Sequence, residues 1–195
     1  MDLPPTYFDV SAIRQIPDHQ EVYVDRGAGS DWSVVCEIVE HQGSVHGSEA
    51  GAYFWQDLCD ANECLETRGW RELSPASALA PFLPRQFREP KVEQRCDQVV
   101  VCCGWQKIPP PPSGGGSSGV GSDASGGRVE PHLVFICLAI LRLPGVASEV
   151  LVTLNAPGKE EGLGCADPGH EDRALATFQC MVSSLEIHDF SLFSN

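Results

Sequence analysis

Basic residues are scarce in this chain. Thirteen lysines and arginines stand against 27 aspartates and glutamates, for a formal net charge of −14. Such a surface repels nucleic acid and anionic membranes. It either serves solubility alone or steers encounter with a basic protein partner. The deficit is uneven, because residues 1–60 hold eleven acidic residues and only Arg14 and Arg26. Long apolar runs are also missing. The longest, Leu133–Leu141, has nine residues and suits a buried strand, well short of the ~20 that a membrane helix needs. The opening Met1-Asp2-Leu3-Pro4-Pro5 has neither the basic nor the apolar region of a signal peptide, which predicts a cytosolic or nuclear protein.

Metal and catalytic signatures are lacking too. Nine cysteines are present, yet no C-x-x-C occurs and no cysteine pair meets a histidine pair at zinc-finger spacing. Cys36, Cys102 and Cys137 lie inside apolar runs, where cysteine behaves as a small hydrophobe, and reduced thiols are expected. The six histidines form no H-E-x-x-H. Gly114–Gly119 satisfies both G-x-S-x-G and G-x-G-x-x-G, but prolines precede it and more Gly and Ser follow. Each motif needs a strand before and a helix after, so both matches are products of a glycine-serine tract. No metal, cofactor or catalytic residue is expected. His188-Asp189 reads as a capping or surface pair.

What is present is a run of strand patterns with two helices. Ser11 can cap a short helical turn through Arg14 that Pro17 stops, and Ile16-Pro17-Asp18-His19 reads as a turn with proline second. From Gln20 to Asp25 the pattern alternates, with Gln20, Val22 and Val24 on one face and Glu21, Tyr23 and Asp25 on the other. Trp32–Glu40 is a second strand, making 20–40 a hairpin. Ser48 opens a helix to Ala61 with Ala52, Trp55 and Cys59 on one stripe. Gly69–Leu73 is a short edge strand, and 74–94, with its four prolines, is irregular. Strands follow over Gln98–Trp105, His132–Leu143 and Glu149–Asn155, with Pro144-Gly145 turning between the last two. Glu171–Leu185 is a helix whose Leu175, Phe178, Met181, Val182 and Leu185 share a face. Ile187–Phe193 closes as an extended segment. Strands joined by tight turns point to an α+β protein with a mostly antiparallel sheet and helices packed on it.

One domain is expected over 1–195, interrupted by the Pro/Gly/Ser-rich insertion at 109–127. Lengthening a loop from about 4 to about 20 residues costs only on the order of 1.5 kcal/mol, so the insertion does not divide the chain.

Asp18 and Glu21 carry the functional question. Three residues apart across a turn-to-strand junction, they are a solvated hairpin edge, a binding patch for Arg or Lys on a partner, or a catalytic pair. Catalysis needs a pocket that separates their pKa values, whereas a binding patch needs only exposure. Residue chemistry alone leaves these readings open.

The order of residues narrows them. Phe8-Asp9, Ser11, Arg14, Pro17-Asp18 and Gln20-Glu21-Val22, at these spacings, resemble the signature of the Ran guanine nucleotide release factors, the Mog family. Asp31–Glu40, Leu138–Pro144 with Val150–Asn155, and Phe178–Phe193 resemble further family segments in collinear order. The resemblance implies a Mog/PsbP-like α/β/α sandwich that binds the small GTPase Ran as a monomer and promotes release of its nucleotide. It also implies a role in nuclear transport, residence in nucleus and cytoplasm, and action by binding rather than bond chemistry. The family's two Ran-contacting carboxylates fall on Asp18 and Glu21, and the charge pattern extends that surface to Asp25 and Asp31. The family's N-terminal hairpin has no counterpart ahead of Phe8, so an unpaired sheet edge is expected. The same sandwich also admits a PsbP-like lumenal protein associated with photosystems, or an acidic adaptor for membrane-protein trafficking.

Overall fold

The computed structural model describes residues 1–27, 31–47, 49–73, 76–87, 96–110, 130–161, 164–165 and 167–193. Seven strands form one antiparallel sheet: β1 (Tyr7–Asp9), β2 (Gln20–Asp25), β3 (Ser33–Glu40), β4 (Glu66–Glu72), β5 (Gln98–Ile108), β6 (His132–Leu143) and β7 (Ser148–Gly158). Their spatial order is β1-β2-β3-β7-β6-β5-β4. A separate two-stranded hairpin pairs β8 (Glu160–Glu161) with β9 (Gly164–Cys165). Helix α1 (Glu49–Ala61) connects β3 to the far edge strand β4, α2 is the single turn Ala76–Leu79, and α3 (His170–Ser183) follows the hairpin.

The sheet is covered on both sides, and β6 shows why its sequence reads as an unbroken apolar run. Its odd residues from Leu133 to Leu143 join Val101, Cys103 and Trp105 of β5 and Ala174, Phe178, Met181 and Val182 of α3 in one core. Its even residues from Val134 to Ile140 join Ala50, Phe54, Trp55 and Cys59 of α1 in a second core. The period-two alternation of a strand feeds both. The result is the expected α/β/α sandwich. At the β4 edge, pairing with β5 slips between Arg68 and Arg71. Gly69 takes the turn there at φ +61°, and Gly104 of β5 lies so close to Trp70 that a Cβ would stand 2.9 Å from its Cα. Only glycine fits beneath that bulge.

Several local expectations need correction. The first turn is a 3-10 helix, Val10–Ala12, and its cap is Asp9, not Ser11. The Asp9 carboxylate accepts from the Ser11 N–H at 2.8 Å and from its hydroxyl at 2.7 Å. The following turn closes from the Gln20 N–H to the Pro17 carbonyl, which makes proline its first residue rather than its second. Ala52 of α1 is exposed; the buried stripe is Ala50, Gly51, Phe54, Trp55 and Cys59. Ile187–Phe193 is not extended, because Phe190–Phe193 forms a 3-10 turn capped by Asp189 on Ser191. The span 74–94 holds α2 and two 3-10 turns among its described residues. On the side where an open edge was expected, Tyr7–Asp9 of β1 runs antiparallel along β2 and is the last strand of the sheet among the described residues, so the open edge lies on β1. Most of the 109–127 insertion lies outside the described residues.

One polar cluster is buried between the sheet and the loop after β3. Arg142 and Glu149 stand directly opposite on β6 and β7, 3.1 Å apart, at 6% and 0% exposure. Arg142 also donates to the carbonyls of Val45 at 2.7 Å and Gln42 at 2.8 Å. Glu149 further accepts from the Gln42 N–H and meets His41 Nδ1 at 2.9 Å. Every charge is matched, and the cluster pins residues 41–47 to the frame.

All nine cysteines are free thiols. Burial pushes Cys36, Cys59, Cys96 and Cys103 up to about 11 and Cys102 to about 12. Among the described residues no helix is long and apolar enough to cross a membrane.

Candidate partner-binding surface

The segment linking β1 to β2 is held at three points before it reaches the carboxylates. Asp9 caps the 3-10 turn, the Ile13 and Arg14 N–H groups both donate to the Val10 carbonyl, and the Pro17–Gln20 turn starts β2. This brings Asp18 and Glu21, both exposed, to the rim of a shallow hollow of about 410 Å³. Asp9, Arg14, Ile16 and Tyr23 line the same hollow.

Glu21 is not left to wander. Residues two apart on a strand share a face, and Tyr23 donates its hydroxyl to Glu21 Oε2 at 3.0 Å. Burial first, and then that bond to Glu21, pushes the Tyr23 phenol up to about 12, so it remains a donor across the physiological range. On the opposite face of β2, Gln20 donates to Glu37 at 2.8 Å and His19 lies 3.4 Å from the same carboxylate. These contacts tie the start of β2 to β3.

Asp25 and Asp31 do not complete this patch. The six residues of β2, at ~3.3 Å each, put its ends about 17 Å apart. Asp25 lies at the far end, where its carboxylate accepts from the Gly27 N–H at 2.8 Å and its backbone N–H donates to Trp32. With Asp31 it lines a different and larger cleft of about 840 Å³, walled by Tyr7, Trp32, Lys159 and His170. There His170 stacks on Trp105 at 5.5 Å and meets Trp32 edge-on at 5.7 Å. Burial, then the nearby Asp25 charge, pushes the Tyr7 phenol up to about 12. The structure thus unites Asp18 with Glu21 and separates both from Asp25 and Asp31.

Both carboxylates of the first pair are open to water, and their hollow is shallow. A catalytic pair needs one group desolvated and the other not, and neither is. The arrangement suits hydrogen-bonded capture of a cation on another protein. Sequence reasoning gave no role to Arg14 or to the Tyr23 hydroxyl. Tyr23 carried a usable signal, since it lies two residues from Glu21 on the same strand face. Arg14 carried a weaker one, as one of two basic residues in the first sixty.

The chain matches the model of the family described as "Ran-interacting Mog1 protein" over residues 1–157, a span that includes all of this surface. It is 28% identical over 193 residues to the Ran guanine nucleotide release factor of Bos taurus, covering 98% of this chain and 89% of that one. It is 30% identical over 201 residues to the nuclear import protein mog1 of Schizosaccharomyces pombe, covering 99% and 94%. A solved mutant of protein Mog1 superposes with a TM-score of 0.57 at 21% identity, covering 98% of this chain and 91% of that one, and so shares the fold.

Proposed function

Because the chain belongs to the Ran-interacting Mog1 protein family, we propose that it binds the small GTPase Ran and promotes release of its bound guanine nucleotide, in support of nuclear protein import. The observation that carries this reading is the pair Asp18 and Glu21, exposed together at one hollow inside the span that matches the family. Two relatives of this length named for Ran nucleotide release and for nuclear import support it.

The mechanism is one of binding. Asp18 and Glu21 accept hydrogen bonds from basic groups beside Ran's nucleotide site and favour a state of Ran whose grip on phosphate or Mg²⁺ is weakened. The nucleotide leaves because the factor binds that state more tightly, not because any bond is made or broken. A 100-fold loss of nucleotide affinity needs about 2.7 kcal/mol of such differential binding. The protein acts as a monomer, in nucleus and cytoplasm. Asp25 and Asp31 serve as an outer contact. An interface of standard size covers about 800 Å² per partner, roughly 30 Å across, so one footprint reaches both ends of β2.

Ran loaded with a fluorescent guanine nucleotide tests the reading directly. Excess protein should accelerate release, and Asp18→Ala with Glu21→Ala should abolish most of the gain. Release at the intrinsic rate, with no complex at low salt, refutes the function; a complex indifferent to both substitutions refutes the site. Raising ionic strength should slow association, because the long-range part of the attraction is screened within about 8 Å at physiological salt.

A further inference from the structure

The hollow that presents Asp18 and Glu21 also presents a charge of the opposite sign. Arg14 lines it and is exposed, and its guanidinium makes no hydrogen bond or ion pair among the described residues. That is unexpected for a guanidinium beside three carboxylates, in the part of the chain where acidic residues outnumber basic ones eleven to two. The other basic residue of that region, Arg26, is occupied over the Phe8 ring, 3.7 Å from its centroid.

The local geometry accounts for the open pairing. Asp9 spends both oxygens on Ser11, one on the backbone N–H and one on the hydroxyl. Glu21 is turned toward Tyr23. Arg14 is itself anchored at its backbone, which donates to Val10, so the guanidinium starts from a fixed base. The chain thus holds its carboxylates and its arginine apart in one depression rather than letting them neutralise each other. The hollow is charged in two senses, with acceptors on the β2 side and a five-donor fork on the 3-10 turn side.

We propose that Arg14 takes a carboxylate of the partner protein in the same hollow in which Asp18 and Glu21 take its basic group. The hollow then recognises a surface segment of Ran that carries a cation and an anion side by side. This rests on the reading of Asp18 and Glu21 as the Ran contact. It adds specificity: a merely basic surface satisfies the carboxylates but meets repulsion from Arg14, whereas a segment of both charges satisfies all three groups.

The sign of one substitution decides the matter. If Arg14 only opposes the partner's cation, then Arg14→Ala relieves repulsion and tightens the complex. If Arg14 holds a carboxylate, Arg14→Ala weakens it about three- to tenfold, Arg14→Glu weakens it further, and Arg14→Lys falls between wild type and Ala because the charge is kept and the fork lost. Dissociation constants for Ran, with Asp18→Ala and Glu21→Ala measured in parallel at one salt concentration, provide the test. The Arg14 side chain has no partner among the described residues, so the variants should keep the wild-type melting temperature. Weakening by Asp18→Ala and Glu21→Ala, with Arg14→Ala tighter or unchanged, overturns this inference alone. The absence of any complex with the wild-type protein overturns both readings. A repeat with nucleotide-free Ran separates the sources of the anion. An Arg14 effect that persists supports a protein carboxylate; one that vanishes points to a nucleotide phosphate and overturns the inference.

Discussion

Removing one oxygen, in Tyr23→Phe, should weaken the Ran complex without touching a residue that meets the partner through its charge. Tyr23 donates to Glu21 Oε2 at 3.0 Å, and no other bond of the Glu21 carboxylate is found among the described residues. The donor is secure, since burial and Glu21 itself hold the phenol near 12. With the hydroxyl gone, Glu21 is free to visit several rotamers, and binding must order it again at about 0.5–1.5 kcal/mol. That corresponds to a roughly two- to twelvefold higher dissociation constant. Fold stability should change by less than about 1 kcal/mol, because the lost bond is exposed and the ring still packs. The assay is a double-mutant cycle on the dissociation constant, with Tyr23→Phe, Glu21→Ala and the pair. If Tyr23 acts through Glu21, its substitution does nothing once Glu21 is alanine. An equal loss in both backgrounds, or no loss in the wild-type background, refutes the reasoning.

Two further outcomes concern the frame. Glu149→Ala leaves Arg142 buried at 6% exposure without its carboxylate and removes the acceptor for His41 and Gln42, which should cost about 3–5 kcal/mol; an unchanged urea midpoint contradicts this. Stability should also fall in alkali. The folded protein holds Cys36, Cys59, Cys96 and Cys103 near 11 and Cys102, Tyr7 and Tyr23 near 12, above ordinary values of 9.0 and 10.0. The unfolded chain loses these protons first, so the urea midpoint should stay level below pH 9.0 and drop as pH rises through 11 and 12.

Much of this architecture was legible in the sequence, and the failures have physical causes. Strands β6 and β7 declare themselves because burial on both faces of the sheet makes their sequences nearly continuous apolar runs, and helix α3 because its buried face repeats at 3.6 residues. The cap was misassigned because Asp9 and Ser11 both carry oxygens within one turn, and only the actual start of the helix decides between them. Ala52 was misplaced because α1 also buries Gly51, whose lack of a side chain lets Glu72 and Val100 approach closely. The Arg142–Glu149 cluster was not legible, since seven residues of separation become direct opposition only through the β6–β7 register. Asp18 and Glu21 were legible as a pair because a turn and a strand start fix their spacing. Asp25 and Asp31 were grouped with them by charge, but charge along a strand does not reveal which end of the sheet it reaches. Arg14 stood within the signature without a role, because a sequence does not show that its guanidinium has no partner among the described residues.

The contrast between β6 and β2 has a consequence for how such a protein can diverge. Every residue of β6 after His132 is buried, against one core or the other or, for Arg142, in the polar cluster with Glu149, so a polar change at the apolar positions disturbs the frame. Strand β2 fully buries only Val22. Its charged positions can therefore be exchanged one for another with little effect on packing. If Glu21 contacts the partner as proposed, that contact sits on a strand that the core barely constrains, where it can be rewritten while the scaffold stays the same.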